Sequence, residues 1–318
     1  MIKIFSKIFD EDIEIGELAN FIYRVRKDNN ILGDQTIELI KKELVETRDM
    51  YKFLLYYAYL NDRLVGLLLL SINIPKFGFI WDWYPYVEPR PKEDLVAIQF
   101  LKNCIENTGR DIDRFEVAFT IETEQNKTRY IQYSKWFESL NFHRIAEEAA
   151  MELTLDNKEF EPLAFPKNID LKSIQDADLN DLVDCAYEIF NSSQDIIFLD
   201  LGEAQKQAMV NKIFDTSKKP IIEDASLILM ESGVVIGFVV VIPDGNEAEI
   251  RSFGIRPKYR NKGLGKNLIL LSLSTLIKNG FKVVLLDVTI ENKPAFGVYS
   301  KLGFKISSIS NLYGLTCG

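Results

Sequence analysis

The sequence predicts a mixed α/β fold in two tandem copies, each built on a central, mostly antiparallel sheet flanked by helices. Three observations lead to this prediction: the order of elements in the second half, a looser repeat of that order in the first half, and a break between them. The break runs from Asp156 to Asn168, contains two prolines and interrupts the apolar periodicity. We therefore expect a first domain over residues 1–156, a linker over 157–167 and a second domain over 168–318.

Helical and alternating apolar patterns predict the elements of the second half. In chain order these are helices over 176–190 and 203–214, strands over 225–230, 234–243 and 247–255, a helix over 266–278, a strand over 282–288, a helix over 294–302 and a strand over 304–310. The three consecutive strands are separated by short turns and are expected to form an antiparallel meander. The pair Asn279-Gly280 is a stop signal for the helix before it.

The first half repeats part of this order. The pattern predicts a hairpin of strands over 54–60 and 63–72, a third strand over 77–86, a helix over 95–107, a strand over 114–121 and a helix over 130–140. The run WFESLNFHRI at 136–145 occupies the same place in this order as GVYSKLGFKI at 297–306. We therefore expect two copies of one fold.

Composition limits the classes of function. Apolar residues make up 47% and charged residues 27%, which excludes a disordered or collagen-like chain. The net charge of −9 argues against nucleic acid as a partner. No apolar run approaches the length of a membrane span, and the charged N-terminus is unlike a signal peptide, so a cytoplasmic protein without membrane association is expected. Three cysteines without a CxxC pair and a single histidine predict neither disulfides nor a metal site.

The stretch EIRSFGIRPKYRNKGLGKNLI at residues 249–269 is the most informative for function. A strand ends at Ile255, Pro257 prevents further pairing, a basic loop follows, and Gly263 and Gly265 open a helix. Glycines allow backbone amides to approach a ligand closely, and a helix N-terminus carries partial positive charge. A phosphate or pyrophosphate is therefore the expected ligand.

Two common phosphate-binding motifs do not fit this loop. A Walker loop requires glycine at position 260 and Ser or Thr at 267, where arginine and asparagine stand. The dinucleotide fingerprint requires glycine at 268 and a carboxylate near 285, and both positions hold leucine.

A third pattern, [QR]xxGxG after a strand, is filled by Arg260, Gly263 and Gly265. One helix and one strand later follows VTIENKPAFGVYSKLGF at 288–304. In these two segments, residues 168–313 resemble the GNAT superfamily of acyl-CoA-dependent N-acetyltransferases.

The resemblance implies acetyl-CoA as co-substrate, with its pyrophosphate on the glycine loop and its pantetheine arm paired like an extra strand against 253–255. Asn292 would contact the pantetheine region or cap the following helix. The cofactor-binding residues implied are Phe253, Gly254, Ile255, Arg260, Asn261, Lys262, Gly263, Leu264, Gly265, Lys266, Asn292 and Ala295.

The reaction that the resemblance implies requires a base and an acid. An ammonium group with a pKa of about 10.4 costs about 4 to 5 kcal/mol to deprotonate at pH 7. The candidate bases are Glu247 and Glu249, and Glu249 stands eleven positions before Arg260, similar to the base carboxylate of some family members. Each is alternatively a solvent-facing strand residue. Tyr299 is the expected acid for the thiolate leaving group, or else core filling, and an amide near Phe253 or Gly254 would meet the oxyanion.

The first half departs from the pattern. Pro89, Pro91 and two acids replace the glycines, so coenzyme A binding is not expected there, and the first domain is interpreted as a degenerate copy. Its third predicted strand carries aromatic and acidic residues that either line a pocket for a cationic amine or pack in the core, namely Trp81, Asp82, Trp83, Tyr84 and Tyr86.

We therefore predict an N-acetyltransferase that moves an acetyl group directly from acetyl-CoA to the primary amine of a small-molecule acceptor, in a monomer or homodimer. One alternative is a protein or peptide N-terminal acetyltransferase. Another is a catalytically idle acyl-CoA-binding sensor or scaffold.

Overall fold

A computed structural model of the chain describes residues 2–29, 32–50, 52–80, 86–88, 93–109, 111–121, 124–156, 158–217 and 219–317. The chain divides into two compact units. The first comprises Met1–Ile145 and Ser310–Gly318, and the second comprises Ala146–Ile309.

The first unit has a mostly antiparallel sheet with helices packed against it. Its elements are β1 (Ile2–Ile8), α1 (Ile15–Asp28), α2 (Ile37–Met50), β2 (Phe53–Leu60), β3 (Arg63–Ile74), β4 (Phe77–Ile80), β5 (Tyr86–Val87), α3 (Glu93–Thr108), β6 (Arg114–Ile121) and α4 (Glu124–Glu138). The sheet order is β1-β2-β3-β4-β6, with β5 beside β3, and only β4 and β6 are parallel among these pairs. Residues 310–316 of the last strand lie beside β6.

The predicted hairpin, helix and strand of this unit are confirmed. β2 and β3 are joined at Asn61 and Asp62, which both adopt positive φ as a two-residue hairpin requires. Helix α4 begins and ends earlier than predicted, at Glu124 and Glu138. The predicted strand over 77–86 is described as β4 and β5, with residues 81–85 between them outside the described part of the chain.

The second unit also has a mostly antiparallel sheet, which confirms the predicted mixed α/β class. Its elements are β7 (His143–Thr154), β8 (Asp170–Ser173), α5 (Leu179–Asn191), α6 (Ile196–Leu199), α7 (Glu203–Ile213), β9 (Leu227–Glu231), β10 (Val234–Asp244), β11 (Glu247–Ile255), α8 (Leu264–Lys278), β12 (Val283–Thr289), α9 (Lys293–Leu302) and β13 (Lys305–Thr316). The sheet order is β8-β9-β10-β11-β12-β7, followed by the first residues of β13.

Both faces of this second sheet are covered by helices. On one face α8 and α9 contribute Leu268, Leu273 and Leu302 to a core with Val239 and Val284. On the other face α5, α6 and α7 pack Ala186, Ile189, Phe198 and Val210 against Phe238. The predicted meander β9-β10-β11 is antiparallel throughout, as expected.

The compact units divide the chain at other places than the predicted domain boundaries. Strand β7 pairs with β12 from Glu148 to Thr154, so the second unit begins at Ala146 rather than at 168. At the other end, β13 continues beyond the predicted strand, and its residues from Ser310 onward belong to the first unit. The residues of the predicted linker from 158 to 166 form neither helix nor strand.

Candidate active site

Strands β11 and β12 are the parallel pair at the centre of the second sheet. Their ladder consists of two pairs, Ala248↔Val284 and Glu249↔Leu285, within the described chain. β11 continues to Ile255 paired with β10 on its other side. The backbone of β11 after Glu249 therefore presents a strand edge toward β12, and such an edge can pair with an extended ligand.

A β-bulge changes which side chains of β11 point to each face. Val240 pairs with Ser252 and Val241 with Ile250, so Arg251 is the extra residue. Ala248 and Ile250 before the bulge, and Phe253 and Ile255 after it, belong to the core under α8 and α9. The alternation therefore directs Glu249 and Ser252 to the opposite face, toward α5, α6 and α7.

The glycine loop after β11 has the backbone that its sequence predicts. Gly263 is the N-cap of α8 and adopts a φ of +79°, which favours glycine. The first intrahelical bond runs from the Asn267 amide to the Gly263 carbonyl, so the amides of 264–266 precede the helical ladder. The first turn of α8 contains no acidic residue. This end of the helix can accept an anion.

The Arg260 side chain holds the loop in place. Its guanidinium donates to the carbonyl oxygens of Ile255 at 2.9 Å, Ser192 at 2.8 Å and Ile189 at 3.0 Å, and to the Ser192 hydroxyl at 2.8 Å. Burial lowers the pKa of this guanidinium. Arg260 therefore positions the loop against the end of α5, and these bonds use four of its five N–H groups.

The other predicted loop residues divide into buried and exposed ones. Leu264 packs into the core, so its backbone alone can face a ligand. Asn261, Lys262 and Lys266 are exposed, and the Lys262 ammonium lies 5.3 Å from the centre of the Tyr259 ring. The two lysines each lie two positions from Leu264, the first residue of α8, so their positive charges are near the helix N-terminus where an anion would be held.

A cavity of about 280 Å³ lies where β11 and β12 separate. Phe253, Asn292, Ala295 and Tyr299 of the predicted site line it. Residues that the sequence analysis did not single out line it as well, among them Glu148, Asp195, Arg251, Ser252, Asp287 and Thr289. Within the described chain, the cavity lining does not include the residues of the glycine loop, and it does not include Glu249, Gly254 or Ile255. A wider hollow in the first unit, about 570 Å³, is lined by Glu17, Arg24 and Arg63 among others and contains none of the predicted site residues.

Tyr299 is both a core residue and a cavity residue. It is 6% exposed, and its ring makes edge contacts with Phe253 and Phe304 at centroid distances of 6.3 and 5.8 Å. Burial raises the pKa of its hydroxyl, so this group holds its proton at neutral pH. The position of Tyr299 is therefore compatible with both interpretations from the sequence, as the acid for the thiolate and as a core residue.

Two carboxylates lie near the end of the β11–β12 ladder. Desolvation raises the pKa of Glu249, the charges of Asp287 and Asp244 raise it further, and Lys219 and Arg251 oppose them. Desolvation also raises the pKa of Asp287, which lies two positions beyond the partner of Glu249 on β12. Asp287 lines the cavity, and sequence reasoning missed it because no motif marks that position.

Asn292 occupies the N-cap position of α9, but its side chain makes no capping hydrogen bond. Because it also lines the cavity, its amide is available to a ligand. The neighbouring Asp195 is committed to structure: it accepts from the amides of Ile197 and Phe198 at 3.1 and 3.3 Å and from the Thr289 hydroxyl at 3.2 Å.

The aromatic positions proposed for the first half cannot be placed at a site. Residues 81–84 lie outside the described chain, as do Pro89 and Pro91, and Tyr86 is described as part of β5. Within the described residues, no three His, Cys, Asp or Glu side chains are grouped as metal ligands. The helices described there include none long and apolar enough to span a bilayer.

Comparison with known proteins shows similarity to one family over part of the chain. Residues 187–304 match the sequence profile of the Acetyltransferase (GNAT) family. Mycothiol acetyltransferase of Renibacterium salmoninarum is 26% identical over 212 residues, 58% of this chain and 60% of the relative. That of Corynebacterium efficiens is 34% identical over 88 residues, 27% of this chain and 30% of the relative. The chain thus spans less than two thirds of these curated relatives.

Two solved structures are similar over nearly the whole chain. A tandem GNAT protein from the clavulanic acid biosynthesis pathway has a TM-score of 0.65 at 14% identity, covering 100% of this chain and 99% of that one. A GCN5-related N-acetyltransferase from Sphaerobacter thermophilus has a TM-score of 0.65 at 15% identity, covering 99% and 96%. Residues 187–304 of the second unit therefore carry the sequence pattern of the GNAT family, and the chain has a fold similar to that of a solved tandem GNAT protein.

Proposed function

We propose that the second unit transfers an acetyl group from acetyl-CoA directly to the primary amine of a small-molecule acceptor. The observation that carries this proposal is the cavity between β11 and β12. It brings Tyr299, Asn292 and Phe253, which the family pattern associates with the acyl donor, together with carboxylates on the other face of the sheet. A donor site and an acceptor site in one cavity suit a direct transfer.

The residues present fit acetyl-CoA. The edge of β11 beyond Glu249 can pair with an extended amide-containing chain, and the amides at the start of α8 can hold a pyrophosphate. The implied contacts are those of residues 253–255, the loop from Arg260 to Lys266, Asn292 and Ala295. Acetyl-CoA supplies the acyl group in activated form, as a thioester.

Two side chains are the proposed proton-transfer groups: Tyr299, which lines the cavity, and Glu249, which lies on β11 outside the cavity lining. Glu249 is the proposed base, because its raised pKa makes it a stronger proton acceptor than an ordinary carboxylate. The acceptor's ammonium gives one proton to Glu249, and its nitrogen forms the amide bond as the C–S bond breaks. Tyr299 donates its hydroxyl proton to the sulfur, and the second proton that the nitrogen loses restores the Tyr299 hydroxyl. An amide near Phe253 or Gly254 is the proposed partner of the oxyanion.

Two features support a small acceptor over the alternatives. The cavity volume of about 280 Å³ is at the lower limit of ordinary ligand sites, which disfavours a protein chain as acceptor. The Asn292 amide and the Tyr299 hydroxyl at one cavity disfavour an idle scaffold, because a scaffold has no need of an acid placed there.

Thermal unfolding with and without acetyl-CoA tests the donor site. At about 100 times its dissociation constant the ligand adds about 2.7 kcal/mol of stability, and Gly263→Asp, which places a negative charge at the N-terminus of α8, should abolish the shift. Gly233→Asp is the matched control, because Gly233 has a φ of +80° and, like Gly263, open space around a Cβ. A wild type that does not shift at saturating acetyl-CoA would contradict the proposal.

Release of free thiol with an amine panel and with a peptide panel then tests the acceptor class. Turnover of amines but not of peptide N-termini is expected. The reverse preference would assign the peptide function instead, and acetyl-CoA binding without any turnover would favour the sensor.

A further inference from the structure

The Ser252 hydroxyl is a buried polar group without a partner. The residue is 8% exposed, follows the bulge at Arg251, and lines the cavity. Its Oγ makes no hydrogen bond to any described residue. Buried hydroxyls are almost always satisfied in native proteins, by protein groups, water or a ligand, so this one is available to a ligand that enters the cavity.

Asp287 is a second ligand-accessible group in the same cavity, and this residue is exposed rather than buried. Asp195 is bonded to two backbone amides and to Thr289, whereas Asp287 has neither a hydrogen bond nor an ion pair among the described residues. The alternation along β12 directs Asp287 to the face opposite Val284, Leu286 and Val288, which pack under α8 and α9. Asp287 and Ser252 therefore line the cavity on the same face of the sheet.

The charge around these two groups is negative. Glu148, Asp195 and Asp287 line the cavity, and Arg251 is the cation in the described lining. The Arg251 guanidinium is already engaged, because it donates to the carbonyl oxygens of Ile213 at 3.4 Å and Asp215 at 3.2 Å. This excess of carboxylates attracts a cation and repels an anion.

The wall that faces Ser252 and Asp287 is apolar. Phe190 and Phe198 lie with ring centroids 5.2 Å apart, and Met209 and Ile213 of α7 continue the wall. A polyhydroxylated amine would leave its hydroxyls without partners against these side chains, whereas an alkyl or aryl group would be buried favourably.

We infer that the acceptor is a compact amine with an apolar body, whose ammonium group binds Asp287 beside the Ser252 hydroxyl while its body lies against Phe190, Phe198, Met209 and Ile213. This inference rests on the proposed function and names its acceptor class. Asp287 and Ser252 are then acceptor-binding residues, distinct from Glu249 and Tyr299 in the proton transfers.

The test compares two compact amines, 2-phenylethylamine and hexylamine, with three other compounds. These are glucosamine, the unblocked dipeptide Ala-Ala with its free N-terminal amine, and the neutral 2-phenylethanol. Two readouts are used: kcat/KM from thiol release, and the thermal shift caused by each compound with coenzyme A present, where no turnover occurs. We expect the two compact amines to exceed glucosamine and the dipeptide by about tenfold or more in kcat/KM. The amines should shift the melting temperature, and 2-phenylethanol should not.

Variants assign the effect to the two residues. Asp287→Asn should raise KM for 2-phenylethylamine by about tenfold or more and abolish its thermal shift, while the shift caused by acetyl-CoA stays unchanged. Ser252→Ala should act in the same direction with a smaller factor. Asp184→Asn, an exposed carboxylate of α5 outside the cavity lining, is the matched control and should resemble wild type.

The outcomes separate this inference from the proposed function. Absence of any acetyl-CoA shift overturns the proposed function itself. A wild type that binds acetyl-CoA but prefers glucosamine or the dipeptide, or that shows no shift with either compact amine, overturns the acceptor class and leaves the donor site standing. An Asp287→Asn variant with unchanged KM and unchanged amine shift overturns the binding site.

Discussion

Gly265 lies so close to Phe253 that a Cβ at position 265 would be 2.8 Å from Cζ of that ring and 3.2 Å from Cγ1 of Ile255. The second glycine of the loop is therefore required by packing, since it lets the first turn of α8 approach β11. Phe253 also lines the cavity, so this contact links the glycine loop to the site where the acyl group is proposed to bind.

Gly265→Ala should destabilise the protein by about 1 to 3 kcal/mol, because the methyl group must displace the Phe253 ring. This loss would outweigh the gain of about 1 kcal/mol that alanine brings to a helix. Urea unfolding measures the change, and acetyl-CoA binding should weaken with it. Gly297→Ala in α9 is the control: nothing lies within 4 Å of a Cβ there, so that variant should be more stable than wild type. A stabilised Gly265→Ala would refute the packing argument.

Arg260→Ala should lower stability by about 2 kcal/mol, because the guanidinium donates to three carbonyl oxygens and a hydroxyl that connect the loop to α5. Acetyl-CoA affinity should fall with it, since the loop loses its position. Arg260→Lys should recover little, because an ammonium cannot reproduce the planar fork. Calorimetry of both variants against Lys258→Ala, an exposed neighbour, checks this. Weakened acetyl-CoA binding at unchanged stability would instead favour a direct phosphate contact.

Much of the second unit follows from local pattern. The strand predicted over 247–255 is observed as Glu247–Ile255, and the helix predicted over 203–214 as Glu203–Ile213. These segments combine clear periodicity with turn signals at both ends, so neighbouring residues alone determine them. The predicted boundary at 156 places β7 in the first domain, because its partner β12 is 129 to 141 residues away in sequence, and pairing at that distance leaves no local signal.

Site residues that belong to a sequence motif could be selected from the sequence. Residues that face the cavity only because of the sheet geometry could not. Gly263, Asn292 and Tyr299 carry the family pattern and are found at the loop and at the cavity. Ser252 and Asp287 were missed, because the bulge at Arg251 and the separation of two parallel strands decide what faces the cavity. The Arg260 side chain also turns inward, which the motif alone does not indicate.

Tyr299→Phe should lower kcat by about 10² to 10⁴, because it removes the proposed proton donor to the sulfur. Its ring contacts with Phe253 and Phe304 are retained, so folding and acetyl-CoA binding should be unchanged. Pre-steady-state thiol release measures the chemical step. Tyr313→Phe in the first unit is the same chemical change away from the cavity and should leave kcat at the wild-type value. Full activity of Tyr299→Phe would reassign this residue to the core.

The acidic limb of the pH–rate profile should lie above the ordinary carboxylate pKa of about 4.3, because a protonated Glu249 cannot accept a proton and burial raises its pKa. Lys219, Asp244, Arg251 and Asp287 all act on this group. Asp287→Asn removes a charge that raises the pKa of Glu249, so the limb should move to lower pH. The profile of kcat/KM with wild type and Asp287→Asn measures both. If the Glu249→Gln variant keeps the same acidic limb in its pH–rate profile, Glu249 is excluded as the base.

Asp287→Asn should also make the protein more stable at pH 7. The raised pKa of Asp287 means that the folded state binds this proton more tightly than the unfolded chain does. Its charge therefore destabilises the fold above the raised pKa, by only a small amount because the residue is exposed to solvent, and this cost disappears as pH falls below the ordinary value of about 3.9. The stability advantage of the variant should accordingly shrink between pH 7 and pH 4 in urea unfolding. Asp184→Asn, whose carboxylate is exposed on α5, should stay within about 0.5 kcal/mol of wild type across this range. If Asp287→Asn is less stable than wild type at pH 7, Asp287 has a structural partner. If the variant is more stable and binds the amine more weakly, the Asp287 carboxylate serves ligand binding and lowers the stability of the fold.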